Sequence, residues 1–135
     1  MRTSEVVRID AKGRIIIPMN FRQIFGLKEG MYVQLNANLD EKELQIIPFA
    51  DPNARLMEFR ITLTDKPGAL AQAAQVLAEA NVNLLSTESR TTKKDENAEW
   101  IAVGDVSKIN VDLDTLRKSL SRSDKIRGAI LRQLG

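Results

Sequence analysis

Along the chain, the spacing of apolar positions changes several times, and each change marks an element. Residues 5–10 have strand composition, Lys12-Gly13 reads as a turn, and the β-branched run over 14–17 suits a short buried strand. Pro18 can sit in the first turn of a helix, on which Phe21, Ile24 and Phe25 recur at i, i+3, i+4 before Gly26 ends it. Arg22 falls about 110° from the centre of that stripe, so its charged head can reach water. Two further strands are expected over 31–37 and 43–48, joined by the polar turn NLDEK.

The stretch PFADPNAR has the chemistry of a linker, with two prolines, an Asp-Pro and an Asn. It divides the chain into a first domain over 1–49, a linker over 50–55 and a second domain over 56–135. About 50 residues are marginal for a private core, so the first domain is expected to need a partner chain.

After the linker the pattern reads β-α-β-β-α-β. Residues 56–63 alternate, with Met57, Phe59, Ile61 and Leu63 on one face and Glu58, Arg60 and Thr62 on the other. TDKPG breaks the strand, and a helix over 69–80 carries Leu70, Ala73, Ala74 and Leu77 on one stripe. Residues 83–92 and 99–106 are expected to pair as a hairpin around KKDEN. A helix from about Asp112 holds Leu113, Leu116 and Leu120, and residues 126–134 supply the last strand. This is the split β-α-β, ferredoxin-like order, and the fold class expected for the chain is α+β.

Composition narrows the chemistry. The chain is 43% hydrophobic and 28% charged, with neither cysteine nor histidine. Thiolate nucleophiles and disulfides are excluded, and the commonest acid-base group and zinc ligand is missing. No constellation of acid, base and nucleophile emerges, so no catalytic residue, metal site or cofactor is expected. Without an apolar run of membrane-spanning length or a signal peptide, the expected location is the cytoplasm, away from membranes.

Net charge is only +2, yet it is unevenly placed. Residues 1–28 carry six bases (Arg2, Arg8, Lys12, Arg14, Arg22, Lys28) against Glu5 and Asp10, a balance of +4. Residues 29–50 carry Lys42 against four acids, a balance of −3. Scattered cations on a small domain usually only solvate it.

The motif around them changes that reading. VRIDAKGRIIIPMNFRQIFGLKEGMYVQL, within residues 7–48, resembles the SpoVT-AbrB family, swapped-hairpin DNA-binding domains of bacterial and archaeal regulators and antitoxins. The likeness lies in the Val-Arg strand, Asp-x-x-Gly-Arg followed by three apolar residues and Pro, the helical Arg, and Gly-Leu-x-x-Gly. It implies an intertwined homodimer with a basic face toward double-stranded DNA, in a prokaryotic, archaeal-type regulator. Carried over by position, the DNA-facing residues are Arg8, Arg14 and Arg22, and Gln23 stands where relatives often have a second arginine. Lys12 is added on charge and position alone. The helix is too short to fill a major groove, so sequence choice should rest partly on DNA shape.

LTDKPGALAQAAQVLAEANVNLLS, residues 63–86, resembles the ACT domain, a small regulatory module that binds amino acids and other effectors. The resemblance implies an effector site at Asp65, Gly68, Ala69 and Asn83, beside a subunit interface. The helix start could hold a carboxylate, Asp65 an ammonium, and Asn83 could donate and accept. Leu63 stands where some serine-binding members have a polar residue, which leaves the ligand open. Asp-x-Pro-Gly is also ordinary turn and capping chemistry.

Together these readings give a DNA-binding transcriptional regulator: an AbrB-like dimer, with an ACT-like domain that senses an effector, expected to be an amino acid, or joins dimers into tetramers. The alternatives are an antitoxin-like interaction protein and a regulatory subunit of a metabolic enzyme. RNA recognition on the same strand order would need exposed aromatics, for which Trp100 is the one large candidate.

Overall fold

The computed structural model describes residues 2–93 and 97–135. It divides into two compact units, Met1–Pro52 and Asn53–Gly135. No helix among the described residues is long and apolar enough to cross a membrane.

The first unit contains α1 (Met19–Phe25) and the antiparallel hairpin of β1 (Tyr32–Asn38) and β2 (Glu43–Ala50). The helix begins after Pro18 and stops at Gly26, whose left-handed φ of 64° lets the Leu27 N–H donate back to the Arg22 carbonyl at 2.8 Å. The turn before it forms as expected, with Gly13 at φ 76°. The strands expected over 5–10 and 14–17 do not form ladders, and the isoleucine run is not buried: Ile16 is 80% exposed. The physical reason is pairing. Within one chain these two segments are joined only at the turn, where Asp10 and Arg14 share a single backbone bond of 3.0 Å, and no ladder with another described strand continues from them. Val6, Ile9, Ile24 and Phe25 are likewise exposed, and no residue of α1 is buried. A small apolar cleft of about 130 Å³ lies among Phe21, Phe25, Leu27, Ile46 and Pro48.

The second unit is a four-stranded antiparallel sheet with two helices. Its strands are β3 (Leu56–Thr64), β4 (Asn83–Lys93), β5 (Asn97–Asp105) and β6 (Ile126–Gln133), in the order β4-β5-β3-β6; its helices are α2 (Ala69–Glu79) and α3 (Leu113–Ser121). The α+β class and the ferredoxin-like order read from the sequence are those of the structure. The tip of the KKDEN turn lies outside the described residues. Backbone bonds tie Arg55 to this unit, through its N–H to the Asp105 carboxylate at 3.0 Å and its carbonyl to the Val106 N–H at 2.8 Å.

The alternation in β3 sends Met57, Phe59, Ile61 and Leu63 into a core shared with Ala73, Leu77, Leu116 and Leu120. Trp100 joins them at 4% exposed, so it offers no surface for base stacking. One helical assignment is corrected: Leu70 is 44% exposed, and the buried line of α2 is Ala69, Ala73 and Leu77. These recur at i, i+4, i+8, whereas Leu70 is turned about 100° from Ala69. Asp112 caps α3 by accepting from the Thr115 N–H at 2.7 Å.

The opposite sheet face is wet, as the polar half of the β3 alternation requires. Arg60 donates to Glu58 at 2.9 Å and Arg132 to the other Glu58 oxygen at 3.1 Å. Glu99 takes looser contacts from Arg60 and Arg90, at 3.5 and 3.7 Å. Arg60, before the burial that opposes it, is the main cause holding the Glu58 carboxyl below its ordinary pKa.

Candidate nucleic-acid interface and effector site

The cationic turn of the first unit is organised by Asp10, which the sequence motif alone did not single out. One oxygen of Asp10 accepts from the backbone N–H groups of Lys12 (2.8 Å) and Arg14 (3.0 Å), and the other from the Arg14 Nε (2.8 Å). Aspartate caps such turns because its short side chain reaches its own backbone two residues on. Hydrogen bonds from Arg14, backbone first, hold the Asp10 carboxyl below its ordinary pKa. The signal was present in the sequence as Asp three before Gly, where it counted only as part of a motif.

Arg14 is therefore fixed without being used up. Its side chain stays 69% exposed, and one of its five N–H donors is engaged by Asp10. Arg8, Lys12, Arg22 and Gln23 are all exposed. The structure brings Lys12 and Arg14 together on one turn; Arg22 and Gln23 sit in the middle of α1, and Arg8 lies on the extended segment before the turn.

In the second unit, Gly68 precedes α2 with φ 84°, and no side chain caps the helix start. Asp65 and Asn83 are exposed, and Asn83 opens β4. Ala69 is the first residue of α2. Its side chain is buried in the core, and its N–H already donates to the Lys66 carbonyl at 3.3 Å. Lys125, which no sequence motif pointed to, comes to this helix start from the far end of the chain. Its Nζ lies 3.4 Å from where a Cβ on Gly68 would be. No local pattern announces it, because the pairing of β3 with β6 brings it there: the Thr64 N–H donates to the Lys125 carbonyl at 2.9 Å. The Thr64 hydroxyl beside it is buried with no hydrogen-bond partner among the described residues.

Behind Asn83 the backbone leaves no room. A Cβ at Gly104 would stand 2.6 Å from a Val82 methyl and 3.3 Å from the Asn83 carbonyl, so glycine lets β4 and β5 close at this point. A separate groove of about 300 Å³ runs between α2 and α3, and none of the four expected effector residues lines it.

Different parts of the chain match different known families. A search of curated proteins found no match. Among solved structures, the C-terminal domain of the MgtC protein from Mycobacterium tuberculosis is similar with a TM-score of 0.50 at 14% identity, over 62% of this chain and 92% of that one. The ACT domain from GTP pyrophosphokinase of Chlorobium tepidum aligns with a TM-score of 0.47 at 18% identity, over 58% and 99%. Residues 1–39 match the family described as "MraZ protein, putative antitoxin-like", which supports an AbrB-like first module. Residues 57–120 match the ACT domain family, so an ACT-like unit follows an MraZ-like, AbrB-like one in this chain.

Proposed function

We propose that the chain is a DNA-binding transcriptional regulator that works as an intertwined dimer, with no catalytic step of its own. The observation that carries the reading is the pairing, in one unit, of a preformed exposed cationic turn with apolar rows left uncovered in a single chain. A second copy supplying strands beside residues 5–10 and 14–17 would bury Ile9, Ile15 and Ile16. It would also double Arg8, Lys12, Arg14 and Arg22 into eight cations on one body. If about six contact phosphate, log affinity falls against log salt with a slope near −5. Titration of promoter DNA with the wild type and an R14A/R22A variant tests this. A wild-type slope shallower than about −2, or no loss in the variant, counts against it.

The ACT-like unit supplies regulation in this reading, by sensing a small effector or joining dimers. Asp65, the Gly68 turn with the Ala69 backbone, and Asn83 are the effector residues in this reading. DNA isotherms with and without each of the twenty amino acids test it. A coupling of the usual size shifts affinity about 5- to 150-fold; identical curves throughout leave the unit as an oligomerisation device.

The antitoxin-like description of the matched family favours one second reading, a toxin-binding partner. Such a partner would hold its toxin through an extended tail, whereas residues after Pro52 build a buried core. Limited proteolysis separates the two: a stable fragment beginning near residue 53 supports the regulator, and rapid loss of that half supports the antitoxin.

A further inference from the structure

The strongest charge imbalance in the chain lies outside the unit read as DNA-binding. Between residues 117 and 132 stand six bases, Arg117, Lys118, Arg122, Lys125, Arg127 and Arg132, against Asp124 alone, a balance of +5 over sixteen residues. The rest of the second unit up to that point, residues 53–116, holds seven bases against ten acids, a balance of −3. This charge does not follow from the fold, which takes Leu120 and Ile126 from this stretch into its buried core and packs Ala129 and Leu131 against it.

The six cations divide by their partners. Arg117 and Lys118 both reach Asp114, each at 3.2 Å, and Arg132 is held by Glu58 at 3.1 Å. Arg122, Lys125 and Arg127 form no ion pair with another described residue. They occupy one corner, where α3 ends and β6 begins. The corner is built firmly: the Ser123 hydroxyl accepts from the Lys125 N–H at 3.1 Å, the Ser123 carbonyl takes the Ile126 N–H at 3.3 Å, and Ile126 is buried. Arg122 and Arg127 are exposed and Lys125 half-buried. Arg122 also borders an open depression on α3 with Asp114, Arg117, Lys118 and Ser121, in which Asp114 is already paired with Arg117 and Lys118.

We propose that this α3–β6 corner is a second polyanion contact, and that its occupant is the phosphate backbone of the duplex held by the first unit. The inference rests on the proposed DNA binding. Its own support is the placement of three cations without an ion-pair partner among the described residues on a fixed turn, two of them arginines, whose forked donors suit phosphate oxygens. Backbone interactions of this kind carry no sequence information, but add affinity and salt dependence. Because both units belong to one chain, a duplex held by the first is presented to the second at high effective concentration, so even a weak interaction counts. Engagement of the corner would lengthen the footprint without changing the preferred sequence.

The test uses the full chain on mixed-sequence duplexes of about 20 and 60 base pairs, with wild type, R14A/R22A and R122A/K125A/R127A. Every phosphate that a variant no longer neutralises shallows the salt slope by about 0.9. The triple variant is expected to shallow it by about two or more on the longer duplex, bind that duplex about tenfold or more weakly, and lose the wild type's preference for length. An R122K/R127K variant, which keeps the charge, should retain most of the slope, and unchanged fluorescence of the buried Trp100 in the triple variant excludes a folding defect. If R14A/R22A abolishes binding while the triple variant matches wild type, the corner proposal is overturned and the proposed function stands. If the wild type binds neither duplex, both fall. If the triple variant binds DNA normally but loses salt-sensitive self-association, the corner serves the acidic surface of another copy, which also overturns it.

Discussion

Asp10 carries a negative charge in the middle of a surface read as facing DNA, which by charge counting alone should weaken it. The geometry argues the opposite, since three hydrogen bonds to its carboxylate hold the turn that displays Lys12 and Arg14. Removing the side chain in D10A is expected to reduce DNA affinity several-fold despite the added net positive charge, whereas D10N, which keeps an acceptor oxygen for the turn, should bind at least as well as wild type. Anisotropy titrations at fixed salt separate these outcomes. Because the folded-state pKa is depressed, the turn's stabilisation is present above the unfolded value near 3.8 and is lost as pH falls through the lowered folded value. Carbon-detected NMR should find the Asp10 carboxyl titrating below the ordinary aspartate value. Lys125 is the complementary case at this scale. Its arrival at the α2 start was invisible in sequence, because a lysine 57 positions from Gly68 has no local pattern to connect the two.

At the level of elements, the close approach of β4 and β5 depends on Gly104. In G104A the new methyl would meet a Val82 methyl at 2.6 Å, and Val82 is β-branched, buried and short of room to move. A loss of about 1–3 kcal/mol is expected, measured by urea denaturation, with V82A/G104A recovering part of it. The same substitution presses on the Asn83 carbonyl, so any effector bound by Asn83 should weaken alongside. The elements of this unit were legible because each has one wet and one dry face, which stamps a period of two or 3.6 on the sequence. Where the register misled, as at Leu70, the apolar residue sat one position off a stripe already filled by two alanines and Leu77. Small side chains bury well against a sheet but barely register as hydrophobic.

For the whole molecule, the two units should differ in how their stability depends on concentration. The second holds its own core, including a Phe59 with no exposed surface, so its midpoint should not move between about 1 and 100 μM protein. The first leaves Val6, Ile9, Ile15 and Ile16 uncovered in one chain, so its midpoint should rise with concentration by mass action. Denaturation curves at two concentrations, followed by Trp100 fluorescence for the second unit and Tyr32 for the first, check this. A first unit whose midpoint ignores concentration would contradict the intertwined dimer.

Local chemistry made much of this protein readable before any coordinates. The turn at Gly13, the helix between Pro18 and Gly26, the alternation of β3 and the start of α3 near Asp112 are each set by residues within a few positions of one another, so one sequence window contains both cause and effect. What the chain builds from distant parts came only with the tertiary structure: the burial of Trp100, the arrival of Lys125 at the α2 start, and the absence of ladder partners for 5–10 and 14–17. Strand pairing and burial depend on what lies across the gap, and a run of isoleucines specifies that it must be covered without specifying by what. That is why the sequence pointed to the need for a partner in the first unit, and why the isoleucines that suit a buried strand stay uncovered in a single chain.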